Sequence, residues 1–111
     1  MKKINLAITG CMGRMGQQLI KSANKDKSIK LVALTENRYI NRKIFGIKPE
    51  LNSEKALSKA NVIIDFTIPK CTFEVLKIAT KLKKKVVIGT TGFTKKEEEL
   101  IKKFSKKIPI L

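Results

Sequence analysis
The chain contains no histidine and no tryptophan, a single tyrosine (Tyr39) and two cysteines, Cys11 and Cys71. Without histidine it lacks both the commonest general base near neutral pH and the commonest nitrogen ligand for metals. Any site must therefore be built from main-chain amides, hydroxyls, carboxylates, lysines or arginines. The two cysteines stand far apart, with no C-x-x-C and no second metal ligand beside either. Reduced thiols are expected, with neither a metal site nor a disulfide framework. Long apolar runs are absent too, since nothing approaches the about 18 residues needed to cross a bilayer. The opening Met1-Lys2-Lys3, running on to Ile8-Thr9-Gly10-Cys11, has the outline of a lipoprotein leader. Its apolar stretch, residues 4–8 broken by Asn5, falls short of the about 7–15 residues of an export signal. No membrane partner is expected, and the cytoplasm follows by default.

Acidic residues are scarce as well, 9 against 25 basic, for a formal net charge of +16 over 111 residues. Such a charge suggests a polyanionic partner. Its makeup argues otherwise, because 22 of the basic residues are lysines spread along the chain and only three are arginines. Readers of nucleic acid mix in arginine for bidentate contacts and aromatics for stacking. The charge is better explained as lysine filling solvated positions, and no nucleic-acid partner is expected.

What is present is an alternation of short apolar runs and amphipathic segments. Residues 4–9 (INLAIT) read as a strand, and Met15, Leu19, Ile20 and Ala23 then fall at helical spacing. Residues 29–35 form a second strand ending at Glu36. Residues 37–52 are polar and irregular, with Gly46 and Pro49 as breakers. Ser53 is placed to cap a short helix running to Ala60. Residues 62–66 (VIIDF) are apolar enough for a strand buried on both faces. Pro69 suits the start of the next helix, whose inner face is Val75, Leu76, Ala79 and Leu82. Residues 85–89 give a fourth strand. Thr94 and Glu97 make a capping box for a helix with Leu100, Ile101 and Phe104 inward, and Ile108 to Leu111 begin a fifth strand. This pattern predicts one α/β domain over residues 1–111, a Rossmann-like, doubly wound parallel sheet with helices on both faces.

The strongest local signal lies between the first strand and first helix, at Gly10-Cys11-Met12-Gly13-Arg14-Met15-Gly16. Glycines here permit a sharp turn and close approach of a pyrophosphate, while the helix start offers free N–H groups and the positive end of its dipole. The spacing is G-x-x-G-x-x-G, unlike the usual G-x-G-x-x-G, and a tight turn that binds nothing has the same outline. Glu36 stands 26 residues after Gly10, where a carboxylate can accept hydrogen bonds from an adenine ribose. That carboxylate repels a 2′-phosphate, whereas Arg14 and Arg38 could bind one, so NADH and NADPH are both admitted. Gly89-Thr90-Thr91-Gly92-Phe93 would reach the same sheet edge and could hold a nicotinamide ribose or carboxamide. Asp65, after the third strand, is read as structural, because no partner for proton transfer is visible near it.

Taken in order, G-x-x-G-R-M-G, an acidic residue closing the second strand, I-D-F-T-x-P and V-I-G-T-T-G-F resemble the 4-hydroxy-tetrahydrodipicolinate reductase family, over Ile4 to Leu111. The resemblance implies a two-domain enzyme of lysine and diaminopimelate biosynthesis. It implies hydride transfer from NADH or NADPH to a small cyclic substrate, in a homotetramer assembled through a C-terminal domain. By position, Gly10, Cys11, Met12, Gly13, Arg14 and Met15 would cradle the pyrophosphate and Glu36 the adenine ribose. Phe66 would pack beside the cofactor, and Gly89, Thr90 and Thr91 would line its nicotinamide end. Some members carry arginine where this chain has Asn37 and Ile68, which weakens any NADPH preference. The family's catalytic histidines, lysine and serine–glycine–threonine stretch have no counterpart here. The chain is therefore expected to stop before the substrate domain and to hold no catalytic residue or metal. Two alternatives stay open: the first domain of another nicotinamide-linked dehydrogenase, or a basic nucleotide- or nucleic-acid-binding module without catalysis.

Overall fold
The computed structural model describes residues 3–111, so Met1 and Lys2, part of the basic start weighed as a leader, lie outside it. Among these residues nine elements follow one another: β1 (Ile4–Thr9), α1 (Arg14–Lys25), β2 (Ile29–Glu36), β3 (Glu50–Leu51), α2 (Glu54–Leu57), β4 (Val62–Asp65), α3 (Pro69–Leu82), β5 (Lys85–Ile88) and α4 (Lys95–Ser105). The strands form a five-stranded sheet in the order β3-β2-β1-β4-β5, with every pair parallel. The order reverses between β1 and β4. In open α/β sheets, ligands collect beyond the carboxyl ends of the strands at such a reversal.

Two apolar cores sandwich the sheet, because successive side chains of a strand point to opposite faces. Along β1, Ala7 packs with Leu57, Ile63, Val75, Leu76, Ala79 and Val86 on one side. Its neighbours Leu6 and Ile8 pack with Ile20, Ala23 and Leu34 on the other. Helix α1 thus covers one face and α2, α3 and α4 the other, as the doubly wound reading expects. The inner stripe of α1 begins at Gly16, not Met15, which is 51% exposed. A β-carbon on Gly16 would lie 2.3 Å from the Gly10 carbonyl oxygen, so the glycine sets how closely helix meets loop and turns Met15 outward.

Several boundaries differ from those expected. The segment after β2 contains the two-residue strand β3 and a tight turn at Phe45 and Gly46, whose φ values are +48° and +80°. Main-chain bonds between Ile44 and Ile47 close that turn. Helix α2 stops at Leu57, three residues short of Ala60, although Ser53 caps it as expected by accepting from the Ala56 amide. β4 ends at Asp65, leaving Phe66 in the loop. Leu100 is exposed: α4 lies at the edge of the sheet and packs one flank only, through Ile101 and Phe104. The expected start of a fifth strand is seen: Ile110 pairs in parallel with Val86, the Val86 amide donating to the Pro109 carbonyl at 3.0 Å, Leu111 to the Val86 carbonyl at 3.0 Å and Ile88 to the Leu111 carbonyl at 2.9 Å. The capping box of Thr94 and Glu97 forms in both directions, at 2.9 and 3.1 Å.

Candidate functional site
Three loops meet at the carboxyl edge, one each after β1, β4 and β5. Gly10, at φ +68°, begins the first. A β-carbon there would lie 2.1 Å from the Phe66 carbonyl oxygen, so this glycine seats the first loop against the second. Gly13 differs from its two partners. The nearest atom to an added β-carbon is the Gly10 oxygen at 3.4 Å, ordinary contact distance, and the position opens outward. Packing requires glycine at 10 and 16, while at 13 it leaves bare main chain facing solvent.

Gly13 is also the N-cap of α1, so no side chain caps that helix and no acidic residue stands in its first turn. Among the described residues, no acceptor answers the N–H groups of Arg14, Met15 and Gly16. Unanswered amides and the positive end of the dipole make such a terminus a natural seat for an anion. The amides just before it are engaged: Cys11 donates to the Thr35 carbonyl at 3.2 Å and Gly13 to the Gly10 carbonyl at 3.1 Å. The Met12 amide donates to Glu36 Oε2 at 3.0 Å. Cys11 turns its thiol into the core. Burial first, and the nearby Glu36 carboxylate second, push that thiol from its ordinary 9.0 up to about 11. It helps shape the loop and offers no surface nucleophile.

Glu36 bonds the Met12 amide through Oε2 and the Asn37 amide at 3.1 Å through Oε1. Its carboxylate is held between the glycine loop and the end of β2, a tie the sequence did not announce. It borders a cleft of about 250 Å³ with Gly10, Gly13, Asn37, Phe66, Thr67 and Ile68. Arg14 and Arg38 are exposed and form no ion pair among the described residues.

Phe66 faces the third loop: a β-carbon on Gly89 would lie 2.1 Å from its ring. Thr90 is 8% exposed, and its hydroxyl accepts from the Thr67 amide at 2.8 Å, while Thr91 is exposed beside it. Asp65 is fully buried beneath these loops and accepts hydroxyl donors from Thr9, Thr67, Thr72 and Thr90. The structural reading of Asp65 agrees with this burial. What the sequence concealed was the convergence of four threonines, because they are scattered between positions 9 and 90. Among the described residues no three acidic or cysteine side chains gather to hold a metal ion.

A parallel sheet in the order 3-2-1-4-5, with a glycine loop leading into an uncapped helix at the strand reversal, defines a Rossmann-like α/β domain. The chain belongs to the family described as "Dihydrodipicolinate reductase, N-terminus", whose model matches residues 4–111. It is 68% identical to the 4-hydroxy-tetrahydrodipicolinate reductase of Pelagibacter ubique (strain HTCC1062), a match that covers all of this chain and 43% of the relative. Among solved structures, it resembles the dipicolinate-bound dihydrodipicolinate reductase of Paenisporosarcina sp. TG-14. The TM-score is 0.77 at 26% identity, over 93% of this chain and 43% of that one. Staphylococcus aureus homoserine dehydrogenase gives a TM-score of 0.78 at 14% identity, over 98% of this chain and 32% of that one, a likeness of fold alone. The chain thus spans less than half the length of these relatives.

Proposed function
We propose that this chain is the NADH- or NADPH-binding part of a reductase that transfers hydride to 4-hydroxy-tetrahydrodipicolinate, on the diaminopimelate route to lysine. The observation that carries the reading is Gly13, bare and outward-facing at an uncapped helix start with Glu36 beside it. The pyrophosphate would rest on the Arg14, Met15 and Gly16 amides and against Gly13. Of the loop residues expected to cradle it, Gly10, Cys11 and Met12 would act by shaping the turn. Glu36 would accept from the adenine ribose with the lone pairs its two amide bonds leave free. Gly89, Thr90, Thr91 and Phe66 would border the nicotinamide. The bound cofactor supplies the hydride; the chain's own part is to fix the orientation of that ring.

No residue of this chain is assigned to proton transfer. Turnover, the small-molecule site and assembly into a cytoplasmic homotetramer would belong to the whole enzyme. The carboxylate of Glu36 favours a free 2′-hydroxyl, and Arg14 and Arg38 supply cations within the same region for a 2′-phosphate, so both cofactors are proposed. Titration of the purified chain while following NADH fluorescence tests the reading. Binding by the wild type that disappears in Gly13→Trp, with the melting temperature of the variant retained, is the expected result. No binding by the wild type, or undiminished binding by the variant, would overturn it.

A further inference from the structure
Asp65 is unusual among the acidic residues. It is fully buried, and among the described residues it has no cationic partner, since the two ion pairs are Lys59–Glu50 and Lys81–Glu54. A carboxylate removed from water is costly unless its lone pairs are answered. Here the answer comes from hydroxyls on four separate pieces of chain. Thr9 ends β1 and Thr67 lies in the loop after β4, and both donate to Oδ1. Thr72 lies in the first turn of α3 and Thr90 in the loop after β5, and both donate to Oδ2. Each hydroxyl that spends its proton on the carboxylate keeps its lone pairs for other donors, and Thr90 uses one to accept the Thr67 amide at 2.8 Å. The Gly89 amide donates to the Asp65 carbonyl at 2.7 Å. One residue therefore ties both loops bordering the nicotinamide side to the floor of the sheet.

We infer that Asp65 is a positioning residue that, through Thr67, Thr72 and Thr90, sets the spacing of the loops around the nicotinamide half of the cofactor. The inference rests on the dinucleotide reading. The adenine half has anchors of its own, the Cys11 amide on Thr35 and the Met12 amide on Glu36, while Asp65 reaches the start of the glycine loop only through the Thr9 hydroxyl. The two halves should therefore respond differently. Asp65→Asn keeps the shape but replaces one acceptor oxygen by N–H donors set against hydroxyls that were already donating.

The test is calorimetric titration of the 111-residue chain with NADH and, separately, with ADP, which lacks the nicotinamide arm. In Asp65→Asn the Kd for NADH is expected to rise about tenfold or more while that for ADP stays within about twofold, the loss of an organising hydrogen bond being felt only where it organises. Thr90→Val, which leaves Asp65 in place, should show the same selectivity, and Thr90→Ser should restore NADH affinity. If both ligands weaken together, or neither does, in Asp65→Asn and in Thr90→Val, the inference is overturned while the dinucleotide reading stands. A wild-type chain that binds neither ligand overturns both.

Discussion
Residue by residue, the glycine loop separates into positions that fold the chain and a position that leaves room. Gly10 combines φ +68° with a carbonyl oxygen 2.1 Å from where a β-carbon would sit. Gly10→Ala is therefore expected to cost about 2–4 kcal/mol, read as a fall in the urea midpoint at unchanged slope. Gly13→Ala meets nothing closer than 3.4 Å and should leave the midpoint almost unmoved while weakening NADH. Equal destabilisation by the two would contradict the division. Cys11 gives a pH prediction. Its thiol loses a proton at about 11 in the folded chain and at 9.0 when unfolded. Its contribution to stability is thus complete below pH 9 and is lost as pH rises toward 11, because the unfolded thiolate forms first. Melting temperatures between pH 8.5 and 11 should fall more steeply for the wild type than for Cys11→Ala, in which the lysines still titrate.

Each element shows how local chemistry and tertiary contact share the work. In α4 no residue is buried, and the capping box carries much of the definition of its first turn. Thr94→Ala should cost about 1 kcal/mol by losing the bond to the Glu97 amide. A stability change below a few tenths in chemical denaturation would contradict this. The caps at Ser53 and Thr94, Pro69 at the start of α3, and the apolar runs of β1, β2, β4 and β5 were legible because each is dictated by neighbours in sequence. Met15 and Leu100 were misplaced because helical spacing gives a stripe without its rotation. In α1 that rotation is set by Gly16 against the Gly10 carbonyl, and in α4 by the edge of the sheet. β3 was invisible because two residues carry no period and are held by their partner strand alone. The meeting of three loops on one edge, the candidate site, was legible. The bond between Glu36 and Met12, and the threonine ring around Asp65, were not, since both arise only when distant strands are brought into register.

For the whole molecule, the Cα radius of gyration of 13.2 Å matches the about 13 Å expected of a closed domain of this length. The two cores are filled by residues within the 111, and no helix among the described residues is long and apolar enough to cross a membrane. The net charge of +16 is carried by exposed lysines on many elements. Oligonucleotide binding, if measured, should be weak, indifferent to sequence, and gone by about 150 mM salt, as expected for unspecific counterion release. NADH should compete poorly with it. Tight binding that survives salt, with NADH displacing the oligonucleotide, would favour a nucleic-acid role.

The ring of Phe66 occupies the volume that any side chain at position 89 would need. A methyl added at 89 requires the Phe66 ring to move aside, and a smaller residue at 66 leaves room that a side chain at 89 could fill. Two stretches of chain distant in sequence are in this way coupled through one shared volume. Joining Gly89→Ala to Phe66→Leu should recover much of what Gly89→Ala loses by itself.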